Sequence, residues 1–393
     1  MAVLPRGGRM SRLLRRLRRR GGGQIPAAVD AGQVRLYPDG PCFFEAFFRE
    51  LEQAQHLICL EYYRIRPDQT GQRLADSLLA AVQRGVKVLL IYDALGCRVS
   101  GAAYFERLRD AGVVCLAFNP LSFKRGIAWF DRRDHRKLAI IDDRIAFLGG
   151  LNISDAYAGL TDEPLCFRDV GFSLGGNAVG VLLALFVDTW FMEKGEQLQL
   201  PQFAAAHAVL GEAEVTLVSG GPHQRRSAIR TAFRVAMALA AEELLIANPY
   251  FIPGPRIIRS LLRAARRGVR VRLLLPARSD VPLVRLVSRS TYEPLLRAGV
   301  EIYEMERQLL HAKLMLIDGE QTVLGSANLD QRSFHRNFEI NALVRGSSFG
   351  AQVRELFMQD FAGSHRITLD GHARRGVTAR LLEILLKPLS WFL

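Results

Sequence analysis

RQLLHAKLMLIDGEQTVLGSANLDQRSFHRNFE, residues 307–339, is the stretch whose reading decides the fold. Its centre is His311-x-Lys313 with Asp318 five residues on, followed by Gly325-Ser326-x-Asn328. The same design stands 176 residues earlier, as His135-x-Lys137, Asp142 and Gly149-Gly150-x-Asn152. An unusual motif carried twice, one domain-length apart, marks two copies of one unit. If the units face each other, the two histidines meet in one cleft.

The flanking sequence repeats as well. LICLEYYR (57–64) matches LLIANPYF (244–251), and DSLLAAVQRGVKVLLIYD matches RSLLRAARRGVRVRLLLP. YFERLRDAGVVCLAF likewise matches TYEPLLRAGVEIYEM. Each phrase reads as helix, glycine stop and buried strand. Strands alternating with helices predict an α/β fold with a largely parallel or mixed sheet covered by helices on both faces. The offset drifts to 187 residues, which loop insertions absorb. The expected organisation is a basic arm (1–29), a first repeat (30–205), a second repeat (206–370) and an amphipathic tail (371–393), the repeats packed face to face around one shared site.

Residues i and i+2 of a strand share a face, so His135 projects with Lys137 and His311 with Lys313. Two lysines oppose a metal cation, and the four groups together suit an anion. Paired histidines can divide phosphoryl chemistry, one attacking phosphorus and the other moving the proton of the leaving oxygen. No cofactor and no metal are expected. The small-residue turns let backbone approach an anion, and Ser326, Asn152 and Asn328 offer contacts to phosphate oxygens. Each imidazole needs a partner to fix its tautomer. Asp169 is proposed for His135, and Glu339 for His311, each from its own repeat. Asp142 and Asp318 close the motifs. They are grouped with the catalytic set, although their place just before loops favours support of a turn or an ion pair over contact with substrate.

The chain has 393 residues, 49% hydrophobic and 23% charged, an ordinary globular balance. Eight of its net +14 charges are arginines among the first twenty residues, where there is no acid. This arm, with Leu13, Leu14 and Leu17, and the tail VTARLLEILLKPLSWFL suit an anionic membrane surface. No apolar run of 18 residues predicts a spanning helix, and the Arg-rich start, without a long apolar stretch, is not expected to act as a secretory signal. The five cysteines form no CxxC pair and read as core thiols in a reducing compartment. Arg125, Arg132 and Arg133, around Trp129 and Phe130, are candidates for a cationic rim.

The paired His-x-Lys motifs with GG/GSxN resemble the phospholipase D superfamily over residues 30–365. The stretches HRKLAIIDDRIAFLGGLNIS, NPYFIPG, SDVPLVRL and VLGSANLDQRS are similar to bacterial cardiolipin synthases, and the B type, which does not have the N-terminal membrane-spanning pair of some of them, is the one expected. The resemblance implies two α/β repeats sharing one metal-free site and a phosphohistidine intermediate. It assigns His135 as nucleophile, His311 as acid and base, and Lys137, Lys313, Asn152 and Asn328 as phosphate-binding groups. Gly150 departs from the serine often found there. The function implied is phosphatidyl transfer from one phosphatidylglycerol to another, with hydrolytic phospholipase D or nuclease activity as alternatives. Anionic phospholipids at the cytoplasmic side of the inner membrane are the expected partners, with no nucleic acid.

Overall fold

The computed structural model describes residues 28–120, 131–162, 166–201, 214–222, 224, 227–376 and 386. Residues 1–27 of the basic arm, most of the apolar tail, and Arg125, Trp129 and Phe130 lie outside the described residues. Each half builds one sheet. The first has the order Arg35–Tyr37, Gly171–Leu174, Ile145–Gly149, Lys137–Ile141, Leu57–Tyr62, Lys87–Asp93, Val114–Phe118. The second repeats its central part as Glu339–Arg345, Gln321–Gly325, Leu314–Ile317, Glu243–Ala247, Arg270–Pro276, Glu301–Met305.

The sheets are mixed, and antiparallel pairs outnumber parallel ones. Among the described residues, the three strands joined by helical crossovers are the ones that run parallel within each half's sheet. The motif strands enter through tight hairpins, which only antiparallel strands can share. The helices have legible causes. Asp39 and Asp68 cap Gly40–Gln53 and Gln69–Gln83 by accepting the backbone N–H of Cys42 and Gly71. In Gln69–Gln83, Leu74, Leu78 and Ala81 fall on one buried face.

Alternation along each strand sorts its side chains into layers. Ile58, Leu60 and Tyr62 face Gly40–Gln53 and Gln69–Gln83. Leu57 and Cys59 face the other way, into an apolar layer shared with Leu245, Ala247, Leu316 and Ile340 of the second sheet. The helices Asn177–Lys194 and Ser347–Ala362 contribute Leu182, Phe186, Val353 and Phe357 to that layer. Ala228–Leu239 and Gly254–Arg266 cover the outer face of the second sheet. Truncating a central leucine such as Leu57 to alanine costs about 2–5 kcal/mol in such packing.

The halves also exchange backbone. Val29–Asp30, where the basic arm meets the first repeat, pairs with Val215 and Glu214 in the second sheet. Phe167–Arg168 pairs with Leu309–Leu310, and Asp134 bridges to Phe338. These last contacts place the site. Among the described residues no helix is long and apolar enough to cross a membrane. Leu386, from the tail, packs against the small apolar cluster of Ile252, Val284 and Val287.

Candidate active site

Both histidines lie just before their strands, in extended segments that reach across to the other half. The His135 N–H donates to the Phe338 carbonyl at 2.9 Å, and the His311 N–H to the Arg168 carbonyl at 2.8 Å. Each acceptor immediately precedes a carboxylate. Glu339 therefore meets Nδ1 of His135 with both oxygens, at 3.0 and 3.1 Å. Asp169 meets Nδ1 of His311 at 2.6 Å. The expected pairing within each repeat is corrected: the carboxylates cross, because the backbone contacts that hold each histidine are made to the other repeat.

The two lysines fold back beside their histidines. Lys137 Nζ donates to the His135 carbonyl at 2.6 Å and lies 5.1 Å from the Tyr63 ring centroid. Lys313 Nζ sits 2.7 Å from His311 Nδ1 and 3.9 Å from Asp169. All these groups are buried, and burial sets their proton affinities. It lowers Lys137 to about 7, helped by Lys313 and opposed by Glu339. It lowers Lys313 to about 8. His135 falls to about 4, first through burial and then through the lysine charges, against the pull of Glu339. His311 falls well below its ordinary value through burial and Lys313. Burial lifts Asp169 to about 6. Burial also pushes Glu339 upward, but His135, Lys137 and Ser326 outweigh it and hold that carboxyl below the usual range.

Two expected roles change. Ser326 does not face a phosphate: its hydroxyl donates to Glu339 at 2.6 Å and accepts the Ile340 N–H at 3.0 Å. At the matching Gly150, a Cβ would stand 2.4 Å from an Asp169 oxygen. Glycine there makes room for the carboxylate itself. Asp142 and Asp318 are not at the chemistry. They lie at the far end of each motif strand, about 16 Å from its lysine at the usual rise. Asp142 accepts the N–H groups of Gln55, His56 and Leu57, and Asp318 those of Ala241, Glu242 and Glu243. They have φ of 52° and 51°, and the next residues, Asp143 and Gly319, 49° and 68°. The fixed spacing is thus a hairpin signal, aspartate being one of the few side chains that tolerates this backbone.

Asn152 and Asn328 are buried at the expected places. Asn152 Nδ2 donates to the Tyr157 hydroxyl at 3.0 Å. With Nδ1–H of His311 given to Asp169, Nε2 is left an acceptor, which the Tyr157 hydroxyl reaches at 3.2 Å and Lys313 Nζ at 3.3 Å. Ser333 occupies the matching place in the second repeat, five residues after its asparagine, and donates to Glu339 at 2.9 Å. Asn337 donates to the same carboxylate at 3.2 Å. Sequence reasoning missed Tyr157, Ser333 and the aromatic walls. Tyr63 lies 4.9 Å, ring to ring, from His135, and Tyr250 6.2 Å from His311. The signal for those two was present, since Tyr63 and Tyr250 occupy matching places in LICLEYYR and LLIANPYF. Of the candidate rim, Arg132 is exposed, but Arg133 is buried against Asp93 at 3.3 Å and donates to the Asn119 carbonyl. It is a structural ion pair rather than a rim.

Comparison with known proteins gives the family and the fold. A family model described as cardiolipin synthase, PLD-like domain, matches residues 47–169 and 234–361, one match per repeat. The chain is 37% identical over 370 residues to a cardiolipin synthase of Geobacillus thermodenitrificans, covering 94% of this chain and 74% of that one. It is 37% identical to cardiolipin synthase 2 of Bacillus anthracis, covering 91% and 70%. The fold is shared with a phosphatidylserine synthase of Haemophilus influenzae at a TM-score of 0.72 and 14% identity, over 98% of each chain. With both motifs intact at the meeting of its two repeats, the chain belongs to the cardiolipin synthase family of phospholipase D-like phosphatidyltransferases.

Proposed function

We propose that the chain makes cardiolipin from two molecules of phosphatidylglycerol through a phosphohistidine on His135. The observation that carries this reading is an asymmetry at the two Nε2 atoms. His135 is held from behind by a carboxylate that Ser326, Ser333 and Asn337 all address, and its Nε2 has no hydrogen bond among the described residues. His311 has its Nε2 engaged by the Tyr157 hydroxyl at 3.2 Å and by Lys313 Nζ at 3.3 Å. A neutral imidazole with an open Nε2 suits attack; one already hydrogen-bonded to a hydroxyl suits proton exchange with an alcohol.

In the first step, His135 Nε2 bonds to the phosphorus of one phosphatidylglycerol. The bond to the glycerol oxygen breaks, and that oxygen takes the proton carried on His311 Nε2. Glycerol leaves. The terminal hydroxyl of a second phosphatidylglycerol then gives its proton to His311 as its oxygen attacks phosphorus, and the phosphorus–nitrogen bond breaks to release cardiolipin. Burial keeps both imidazoles neutral in the free site. The entering phosphate anion raises the proton affinity of His311 so that it can serve as acid. Lys137, Lys313 and the asparagine amides balance charge on the phosphoryl oxygens.

The test is incubation of the purified protein with phosphatidylglycerol alone, with products resolved by mass spectrometry. Cardiolipin and glycerol in equal amounts are expected; phosphatidic acid without cardiolipin would replace this reading with hydrolysis. His135→Ala is expected to abolish both turnover and covalent labelling by radioactive lipid. His311→Ala is expected to lose turnover while accepting label from a lipid with an activated leaving group.

A further inference from the structure

The helix Gly254–Arg266 carries arginine at positions 256, 259, 263 and 266 and contains no acidic residue. Steps of three, four and three put these side chains on one face, opposite the buried Ile257, Leu261 and Ala264. All four are exposed. None pairs with a carboxylate among the described residues. Like charges three and four residues apart repel, so the arrangement does not help the helix.

The first repeat provides an internal control. Its matching helix is Gln69–Gln83, aligned through Arg84-Gly85 and Arg267-Gly268. Arg84 donates to the carbonyls of Leu51 and Ala54, and Arg267 donates to those of Met237 and Ala240. The arginine before the glycine is thus a structural device of the repeat. The outer stripe is not: the positions matching 256, 259, 263 and 266 are Arg73, Asp76, Ala80 and Gln83. Arg73 faces Glu52 at 3.6 Å, and Asp76 faces Arg107 at 2.7 Å. The fold therefore builds this helix without a cationic face, and only the second repeat has one.

The cationic surface runs toward the site. Gly254 abuts Gln331, where a Cβ would stand 2.2 Å from Nε2. The short helix Gln331–His335 begins three residues after Asn328. Arg230, on the neighbouring helix Ala228–Leu239, reaches His335 Nε2 at 2.7 Å. Burial, then Arg256 and Arg234, draws the Arg230 guanidinium below its ordinary value, so these charges share one field.

We propose that the arginine face of Gly254–Arg266 is the surface by which the enzyme rests on an anionic bilayer, with lipid phosphates as its counter-charges. This rests on the phosphatidylglycerol reading above. The stripe is about 15 Å long at the helical rise. Guanidinium forks match phosphate oxygens. Half-buried Ile258, Leu262 and Ala265 run beside the arginines, a pattern suited to a headgroup boundary. The helix has no aromatic side chain on which a nucleic-acid base could stack. The site's rim is thereby brought to the plane in which its substrates lie.

The test uses the full chain with the substitutions Arg259→Gln, Arg263→Gln and Arg266→Gln together. Sedimentation with phosphatidylcholine vesicles, with and without phosphatidylglycerol, is expected to show weaker partitioning to the anionic vesicles, by about five-fold per arginine removed. Arg73→Gln on the matching helix should leave partitioning unchanged. Turnover of phosphatidylglycerol in vesicles should fall with partitioning, while turnover of the same lipid dispersed in neutral detergent stays at the wild-type rate. Unchanged partitioning of the triple variant would overturn the proposal. So would a loss confined to duplex DNA binding, which would make the face a nucleic-acid surface. Failure of the wild-type protein to convert phosphatidylglycerol in either form would instead remove the functional reading, and partitioning would still decide the surface.

Discussion

Gly150 and Ser326 hold the same place in the two repeats and solve one problem differently. Glutamate 339 is held through the Ser326 hydroxyl at 2.6 Å; the shorter Asp169 needs the space that a Cβ at position 150 would fill. Gly150→Ala should displace Asp169 and with it the His311 ring. A misplacement of about 1 Å lowers turnover on the order of a hundred-fold, which steady-state assays would show as a fall in kcat with the fold intact by circular dichroism. Tyr157 gives a second residue-scale prediction. Its hydroxyl donates to Nε2 of His311 and so favours the neutral ring. Tyr157→Phe removes that donor, one hydrogen bond of about 1 kcal/mol, and with it part of the preference for the neutral ring. The titration of His311 by NMR should therefore move upward; no movement would mean that the phenol acts only by packing.

At the scale of elements, the hairpins explain why the motif has a fixed length. Asp142 stands where the backbone must turn with positive φ, and its carboxylate gathers three N–H groups at the start of Leu57–Tyr62. Asp142→Ala loses those acceptors and puts alanine in a backbone conformation it disfavours. A loss of about 1–3 kcal/mol in denaturant unfolding is expected, with kcat of the folded protein unchanged; a catalytic role would give the reverse. This residue also shows how far sequence reading reaches. The duplicated spacing gave the repeats, the hairpins and both histidines, because period and turn chemistry are local. Position before a loop already favours a turn role for Asp142, but a fixed offset alone leaves it grouped with the catalytic carboxylates, since both are acids at a constant spacing. Nor could the spacing show that Asp169 serves His311 and Glu339 serves His135. An internal repeat says which residues are equivalent, and equivalence leaves partners undetermined when two units meet face to face. Tyr157 was hidden for a related reason: its counterpart is Ser333, so the repeat gave no echo of it.

For the whole molecule, the consequence is that neither repeat contains a complete site. Face-to-face packing buries Lys137, Lys313 and both imidazoles together, and burial lowers the lysines to about 7 and about 8. The sign follows from linkage. Unfolded lysines hold their protons up to the ordinary value near 10.5, and the folded ones release them near 7 and 8. Across that interval the unfolded chain binds more protons, so the contribution of these two groups to stability grows as pH rises from about 7 and is smallest below it. An anion in the site reverses this preference by favouring the charged ammonium. Binding of inorganic phosphate or a phosphate-ester analogue near pH 8 should therefore be accompanied by proton uptake, and affinity should weaken as pH rises further. Calorimetry in buffers of different ionisation enthalpy measures the uptake directly. Lys137→Met should reduce it, because the lysine with the lower proton affinity in the free site is then missing. Zero uptake by the wild-type protein near pH 8 would show that the lysines are already charged before the anion arrives, and that packing the repeats together does not prime the site for phosphate.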